Sequence, residues 1–233
     1  MTPTAELLSH TPRPERTVAL AARLCYSARG VADLDAGCSD AEVAALLDKL
    51  LGMGHFSALE HAQFVFGVEG ISRACSHQLV RHRIASFSQQ SQRYVALHEV
   101  RAVVPPAVAG DPRKAARFRE KLEDIWAFYR ELVDDGVAPE DARYILPNAC
   151  ETKLVVSMNA RELRHFFCLR LCRRAQWEIR DLALAMLRAA TPAAPLLFRD
   201  AGPGCLAGAC PEGAYSCGEA AAVRAEFSTY TRG

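Results

Sequence analysis

Residues 61–93 read HAQFVFGVEGISRACSHQLVRHRIASFSQQSQR, and two periods meet inside them. From His61 to Glu69, Phe64, Phe66 and Val68 recur at every second position, the period of a half-buried strand. From Ile71 the spacing changes. Ile71, Ala74, Cys75, Gln78, Leu79 and His82 fall at the three- and four-residue steps of one helix face. A strand that runs into a helix, with no βαβ rhythm around it, predicts an α+β fold in one domain: short antiparallel or mixed strands among longer helices. Ile84–Gln90 then reads as a loop too polar for a core strand, and Tyr94–Leu97 as a further strand.

The flanks extend this pattern. Glu15–Ser27 is helical behind Pro12 and Pro14, and the polar Met1–Arg13 carries no assigned element. Ser39 and Glu42 form a capping box for a helix that Gly52 and Gly54 end. Asp111 and Pro112 open a long helix closed by Gly136, and Pro147 stops a short helical piece, Glu140–Leu146. Glu151–Met158 alternates as a strand. Asn159 with Glu162 looks like a second capping box, opening a helix to about Cys172, and another helix runs from Ala175 to about Ala190, where Pro192 stops it. Residues 1–190 thus form the main unit. Residues 191–233, rich in Pro, Gly and Cys, form a largely irregular tail packing on it.

Of 233 residues, 50% are hydrophobic and 24% charged, with a net charge of +1. This excludes wholesale disorder and argues against a nucleic-acid coat. Only Lys49, Lys114, Lys121 and Lys153 among the 28 basic residues are lysines, so the positive charge is guanidinium. No apolar run approaches the ~18 residues that span a bilayer, and the N-terminus has no signal-peptide core. A cytoplasmic chain without a membrane partner is expected. The nine cysteines are odd in number and several sit in apolar runs, which speaks against a disulfide framework.

The densest polar stretch is Arg81-His82-Arg83, followed by Ser91, Gln92 and Arg93. Three guanidiniums and an imidazole within thirteen residues repel one another unless an anion joins them, and phosphate oxygens match the arginine fork. The plainer alternative is a solvated basic end of a helix. His82 opposes it, because it falls on the apolar stripe. His55, Glu60 and His61 read as metal ligands, a ligand-binding turn or simple caps, but the histidines lack the i, i+4 spacing of a zinc helix. In the helix after Asn159, Leu163, Phe166, Phe167 and Arg170 share one face and Arg161 and His165 another. A guanidinium on an apolar stripe needs a partner. It is an ion pair with a carboxylate such as Glu178, solvent reached by snorkelling, or a ligand. Cys205, Cys210 and Cys217 do not have zinc-knuckle spacing, and no metal site is assigned. No GxGxxG joins a strand to a helix, so any nucleotide cradle is non-Rossmann.

Arg81-His82-Arg83, seven residues and Ser91 together resemble the signature of the flavin-dependent thymidylate synthases, the ThyX family. Gly54-His55 with Glu60-His61, Ala142-Arg143 to Leu146-Pro147, Asn159-Ala160-Arg161, and Leu169-Arg170 with Ala175-Gln176-Trp177-Glu178 match in order and spacing, over roughly residues 15–190. The resemblance implies conversion of dUMP to dTMP with carbon from methylenetetrahydrofolate and electrons from NADPH relayed by FAD, in a homotetramer with active sites between subunits. Carried over by position, Ser57, Arg81, His82, Arg83, Gln89, Asn159, Arg161 and His165 would hold FAD. Gln78, Arg81, Gln89, Ser91, Gln92, Arg93, Arg143 and Arg170 would hold dUMP, His55 would lie near flavin and folate, and Arg170 would polarise the pyrimidine. Gln89 stands where many members have Glu, and His165 where some have Asn. The two alternatives are a phosphate- or nucleic-acid-binding module built on Arg81–Arg93, and a metal-dependent hydrolase built on His55, Glu60 and His61.

Overall fold

The computed structural model describes residues 2–228. Four strands, β1 (Thr4–His10), β2 (Gln63–Ser72), β3 (Ala85–Gln89) and β4 (Glu151–Asn159), form one antiparallel sheet in the order β1-β2-β4-β3. The helices are α1 (Pro14–Leu24), α2 (Val31–Ala36), α3 (Asp40–Gly52), α4 (Arg73–Leu79), α5 (Pro106–Ala109), α6 (Pro112–Asp134), α7 (Pro139–Ala142), α8 (Ala160–Arg170), α9 (Trp177–Ala190), α10 (Pro195–Phe198) and α11 (Ala220–Ser228). The α+β expectation holds.

Period-two burial builds the core side of the sheet. Phe64, Phe66 and Val68 of β2 and Leu154, Val156 and Met158 of β4 are buried. Leu163, Phe166 and Phe167 of α8 and Ile179, Leu182, Ala183 and Met186 of α9 join them in one cluster. Phe198 meets Phe64 and Phe167 edge-on at 5.2 and 5.9 Å. Each buried aromatic or aliphatic side chain contributes roughly 1.5–3 kcal/mol.

The helix caps follow the sequence. Ser39 and Glu42 close the expected capping box, Gly54 turns the chain out of α3 at φ 72°, and the Asp111 side chain caps α6. At the strand-to-helix junction, β2 runs three residues further than expected, to Ser72, so Ile71 is a strand residue. Gly70 makes the bulge there at φ 72°, where a Cβ would meet the Thr2 carbonyl oxygen at 3.0 Å. The Ser72 Oγ then caps α4, accepting from the Cys75 N–H at 3.0 Å. Glu178 locks the junction to α9: its two oxygens accept from the Ser72 N–H and Oγ–H, each at 2.6 Å.

Three expectations are corrected. Ala85–Gln89 is a strand, not a loop, because Ala85, Phe87 and Gln89 turn inward while Ser86 and Ser88 face out, as an edge strand requires. Tyr94–Leu97 is not a strand; Tyr94 is exposed and the Val95 N–H turns back to the Ser91 carbonyl. Within Pro192–Gly218 the expected irregular tail holds α10 and short 3-10 turns. Leu197, Phe198, Ala201 and Cys205 enter the main core, and so do Val223 and Phe227 of α11 beyond it. The strand β1 went unread, because its pairing with β2 is remote in sequence and its own residues are mostly exposed.

Candidate active site

A cleft of about 950 Å³ opens between the turn after α4, the outward side of α8 and the tail segment 200–207, with Phe56 and Glu60 at its rim. That is the upper end of ligand-pocket size. Helix α4 ends at Leu79, and backbone bonds from Arg81 to Gln78 and from His82 to Leu79 carry the chain round one further turn. This turn splits the motif. Arg81 and Arg83 are exposed, while His82 is only 4% exposed. The expected burial of His82 holds although the residue lies beyond the helix.

Asn159 caps α8, its Oδ1 accepting from the Glu162 N–H at 2.8 Å. The capping box is only half formed. The Glu162 carboxylate turns instead to His82, with Oε1 3.0 Å from Nδ1. The other imidazole nitrogen, Nε2, accepts from Arg170 Nε at 3.0 Å, and Arg170 Nη2 lies 3.5 Å from the Gln78 carbonyl. Burial pushes the His82 pKa down and outweighs the pull of Glu162 in the other direction. Burial likewise lowers that of Arg170. Glu178 is committed to Ser72, so the ion pair with Arg170 considered from the sequence does not form.

The remaining charges favour an anion. Arg161 pairs with Glu60 at 2.5 Å, and both are about half exposed. Arg164 holds the tail wall through the Leu197 carbonyl and Asp200, each at 2.7 Å, and lies over the Phe56 ring. Arg81 and Arg83 make no side-chain hydrogen bond or ion pair among the described residues. His165 is exposed and meets His82 edge-on at 5.9 Å.

The other candidate residues do not line this cleft. Gln89 Nε2 donates to Ser76 Oγ and Thr152 Oγ1, both at 3.0 Å. Gln92 Nε2 lies 3.4 Å from Cys150 Sγ, and Ser91 Oγ accepts from the Arg93 N–H. Arg93 pairs with Glu140 at 2.8 Å, and Arg143 donates to the Glu140 carbonyl, so these two arginines share one neighbour. Gln78 Nε2 lies 3.4 Å from Gln176 Oε1. His55 and Ser57 sit exposed on the segment after α3. The candidate side chains of one chain are therefore split: some line the cleft, others lie along residues 89–93 and at Arg143, and Gln78, His55 and Ser57 stand apart from both.

Glu60, the carboxylate of the triad His55, Glu60 and His61, pairs with Arg161. Among the described residues no three His, Cys, Asp or Glu side chains converge to hold a metal. Sequence reasoning missed Arg164, Asp200 and the 200–207 wall, which depend on the tail folding back. It also took Glu162 for a cap, and no local pattern marks its turn toward His82.

The model of the Thy1 family, described as thymidylate synthase complementing protein, matches residues 6–196. The chain belongs to the flavin-dependent thymidylate synthase (ThyX) family. The flavin-dependent thymidylate synthase of Geobacter sulfurreducens is 58% identical over 223 residues, covering 95% of this chain and 96% of that protein. The enzyme of Clostridium tetani is 46% identical, covering 94% of each. In structure, this ThyX chain resembles the UMP/dUMP methylase PolB of Streptomyces cacaoi, crystallised with 5-Br dUMP. The TM-score is 0.74 at 26% identity, over 84% of this chain and 93% of that one. Neither alternative drawn from the sequence gains support from these relatives.

Proposed function

We propose that this chain is an FAD-dependent thymidylate synthase, a methyltransferase that converts dUMP to dTMP in the cytoplasm. Methylenetetrahydrofolate would donate the carbon and NADPH the electrons. One observation carries the reading: a large cleft presents Arg81 and Arg83, neither of which forms an ion pair among the described residues. In a chain of net charge +1, such cations call for a phosphorylated ligand. The donor set fits a flavin dinucleotide. Arg81, Arg83 and Arg161 offer guanidiniums to a pyrophosphate, and Asn159 and His165 offer neutral polar groups in the cleft; Ser57 and Gln89, outside its walls, would add theirs. His82 has both ring nitrogens engaged within the protein, so it would meet the cofactor through its ring or backbone only. When bound, the flavin supplies hydride chemistry that no side chain possesses.

Gln78, Arg81, Gln89, Ser91, Gln92, Arg93, Arg143 and Arg170 would hold dUMP, with His55 near flavin and folate. Most of these lie outside the cleft walls of their own chain. That separation supports a homotetramer in which one copy completes the site of another. Arg170 is the catalytic residue in this reading. A fixed guanidinium stabilises negative charge that develops on the pyrimidine. Nucleophilic attack by a thiol is not required. Cys75, the nearest cysteine in sequence to the motif, is fully buried, and burial pushes its pKa far up. Such a thiol is inert.

Purified with FAD, the protein should show a flavin spectrum and a light-scattering mass of four 25.5 kDa chains. Arg83→Ala should lower flavin occupancy about tenfold at limiting FAD, since one charge-assisted phosphate contact is worth roughly 1.5 kcal/mol or more. A colourless monomer that takes up no flavin on soaking would contradict the proposal.

A further inference from the structure

Glu162, His82 and Arg170 form a chain of three groups on one wall of the cleft, and the middle one has a defined direction. An ionised carboxylate only accepts hydrogen bonds and a guanidinium only donates them. Glu162 Oε1 lies 3.0 Å from His82 Nδ1, and Arg170 Nε lies 3.0 Å from His82 Nε2. Both bonds form together in one state alone: neutral imidazole, with its proton on Nδ1 and its lone pair on Nε2. The opposite tautomer, or the imidazolium, would set an N–H against the Arg170 N–H.

The packing leaves the ring little freedom. Phe166 meets it edge-on at 4.9 Å and His165 at 5.9 Å. Glu162 is 5% exposed. It stands at the third position of α8, where a glutamate usually returns to the N-cap. Here the carboxylate is spent on His82, and the cap rests on the Asn159 side chain. Arg170 is fixed through Nε and, more weakly, through Nη2. Its Nη1 has no protein partner among the described residues and remains for a ligand.

We propose that Glu162 is a positioning residue for catalysis: by holding the proton of His82 on Nδ1, it makes Nε2 the acceptor that aims the Arg170 guanidinium. The proposal rests on the reading of Arg170 as the group that meets the pyrimidine. Glu162 acts through His82 and Arg170 rather than on the substrate. In metal sites, a carboxylate that accepts from the far N–H of a ligating imidazole orients it in this way, and the same hydrogen-bond logic applies when the imidazole serves a guanidinium.

Two variants in the full FAD-loaded protein test it. Glu162→Gln retains an oxygen that can accept from Nδ1–H, whereas Glu162→Leu removes every acceptor. Glu162→Leu should lower kcat about tenfold or more, while Glu162→Gln should recover most of the loss, both at wild-type flavin occupancy. The second readout is the ¹⁵N spectrum of histidine-labelled protein, with the His82 signals assigned by their absence in His82→Gln. Wild type and Glu162→Gln should show a protonated Nδ1 and an unprotonated Nε2, and Glu162→Leu a mixture. An unchanged kcat in Glu162→Leu would overturn the proposal, and so would a proton on Nε2 in the wild type. Equal losses in both variants with unchanged tautomers would also overturn it. If Glu162→Leu does not fold, Glu162→Gln and the wild-type tautomer decide. A wild-type protein that loads flavin but forms no dTMP would count against the function reading, while the tautomer would still test the Glu162–His82–Arg170 geometry.

Discussion

Arg170→Lys is expected to fold and load with FAD, yet to turn over dUMP about 100-fold more slowly or worse. Helix α8 buries Leu163, Phe166 and Phe167, and Arg170 follows them on the same face, partly buried. Among the described residues, no carboxylate forms an ion pair with Arg170. Its bonds go to an imidazole nitrogen and a carbonyl, which in the proposed reading leaves its charge for an anionic ligand. Lysine keeps the charge but cannot hold His82 Nε2 and present a second N–H in one plane. Loss of one preorganised donor at developing charge costs on the order of 100-fold or more in turnover. Steady-state methyl transfer with flavin occupancy measured in parallel checks this, and near-normal rates would make Arg170 structural.

The second large effect concerns stability. Glu178→Ala should destabilise the protein by about 3 kcal/mol or more, because it leaves the Ser72 N–H and hydroxyl buried and unpaired. Glu178 is 2% exposed and both its oxygens are used at 2.6 Å. They tie the point where β2 becomes α4 to the first turn of α9. For a chain of this length the loss corresponds to a fall of roughly 6–12 °C in Tm. Glu178→Gln keeps one acceptor and should lose about half as much. Thermal unfolding with and without FAD measures both, and an unchanged Tm in Glu178→Ala would contradict the account. The glutamate that the sequence offered as a partner for Arg170 is thus the lock of the fold.

Local chemistry was legible in the sequence, and distant returns were not. The Ser39–Glu42 box, the Asp111 cap and the alternation of β2 and β4 depend on neighbours within four residues, and each formed. His82 could be read as inward from its spacing alone. The strand β3 was missed because its serines look like loop residues until β4, more than 60 residues later, pairs with it. The same limit hid β1 and the tail wall of the cleft. Glu162 shows the sharpest case. Its local pattern predicts a capping box, and a histidine 80 residues earlier in sequence takes the carboxylate instead. The candidate residues were visible as motifs, but their separation on one chain follows only from the fold.

The central claim is that this chain methylates dUMP with the help of a bound flavin. Its most direct test is formation of dTMP from dUMP, methylenetetrahydrofolate and NADPH by the purified protein, with FAD present or omitted after flavin removal. The account predicts dTMP formation that is lost with the flavin and restored when FAD is added back. Formation of dTMP at the same rate without flavin, or none by fully flavin-loaded protein, would contradict it.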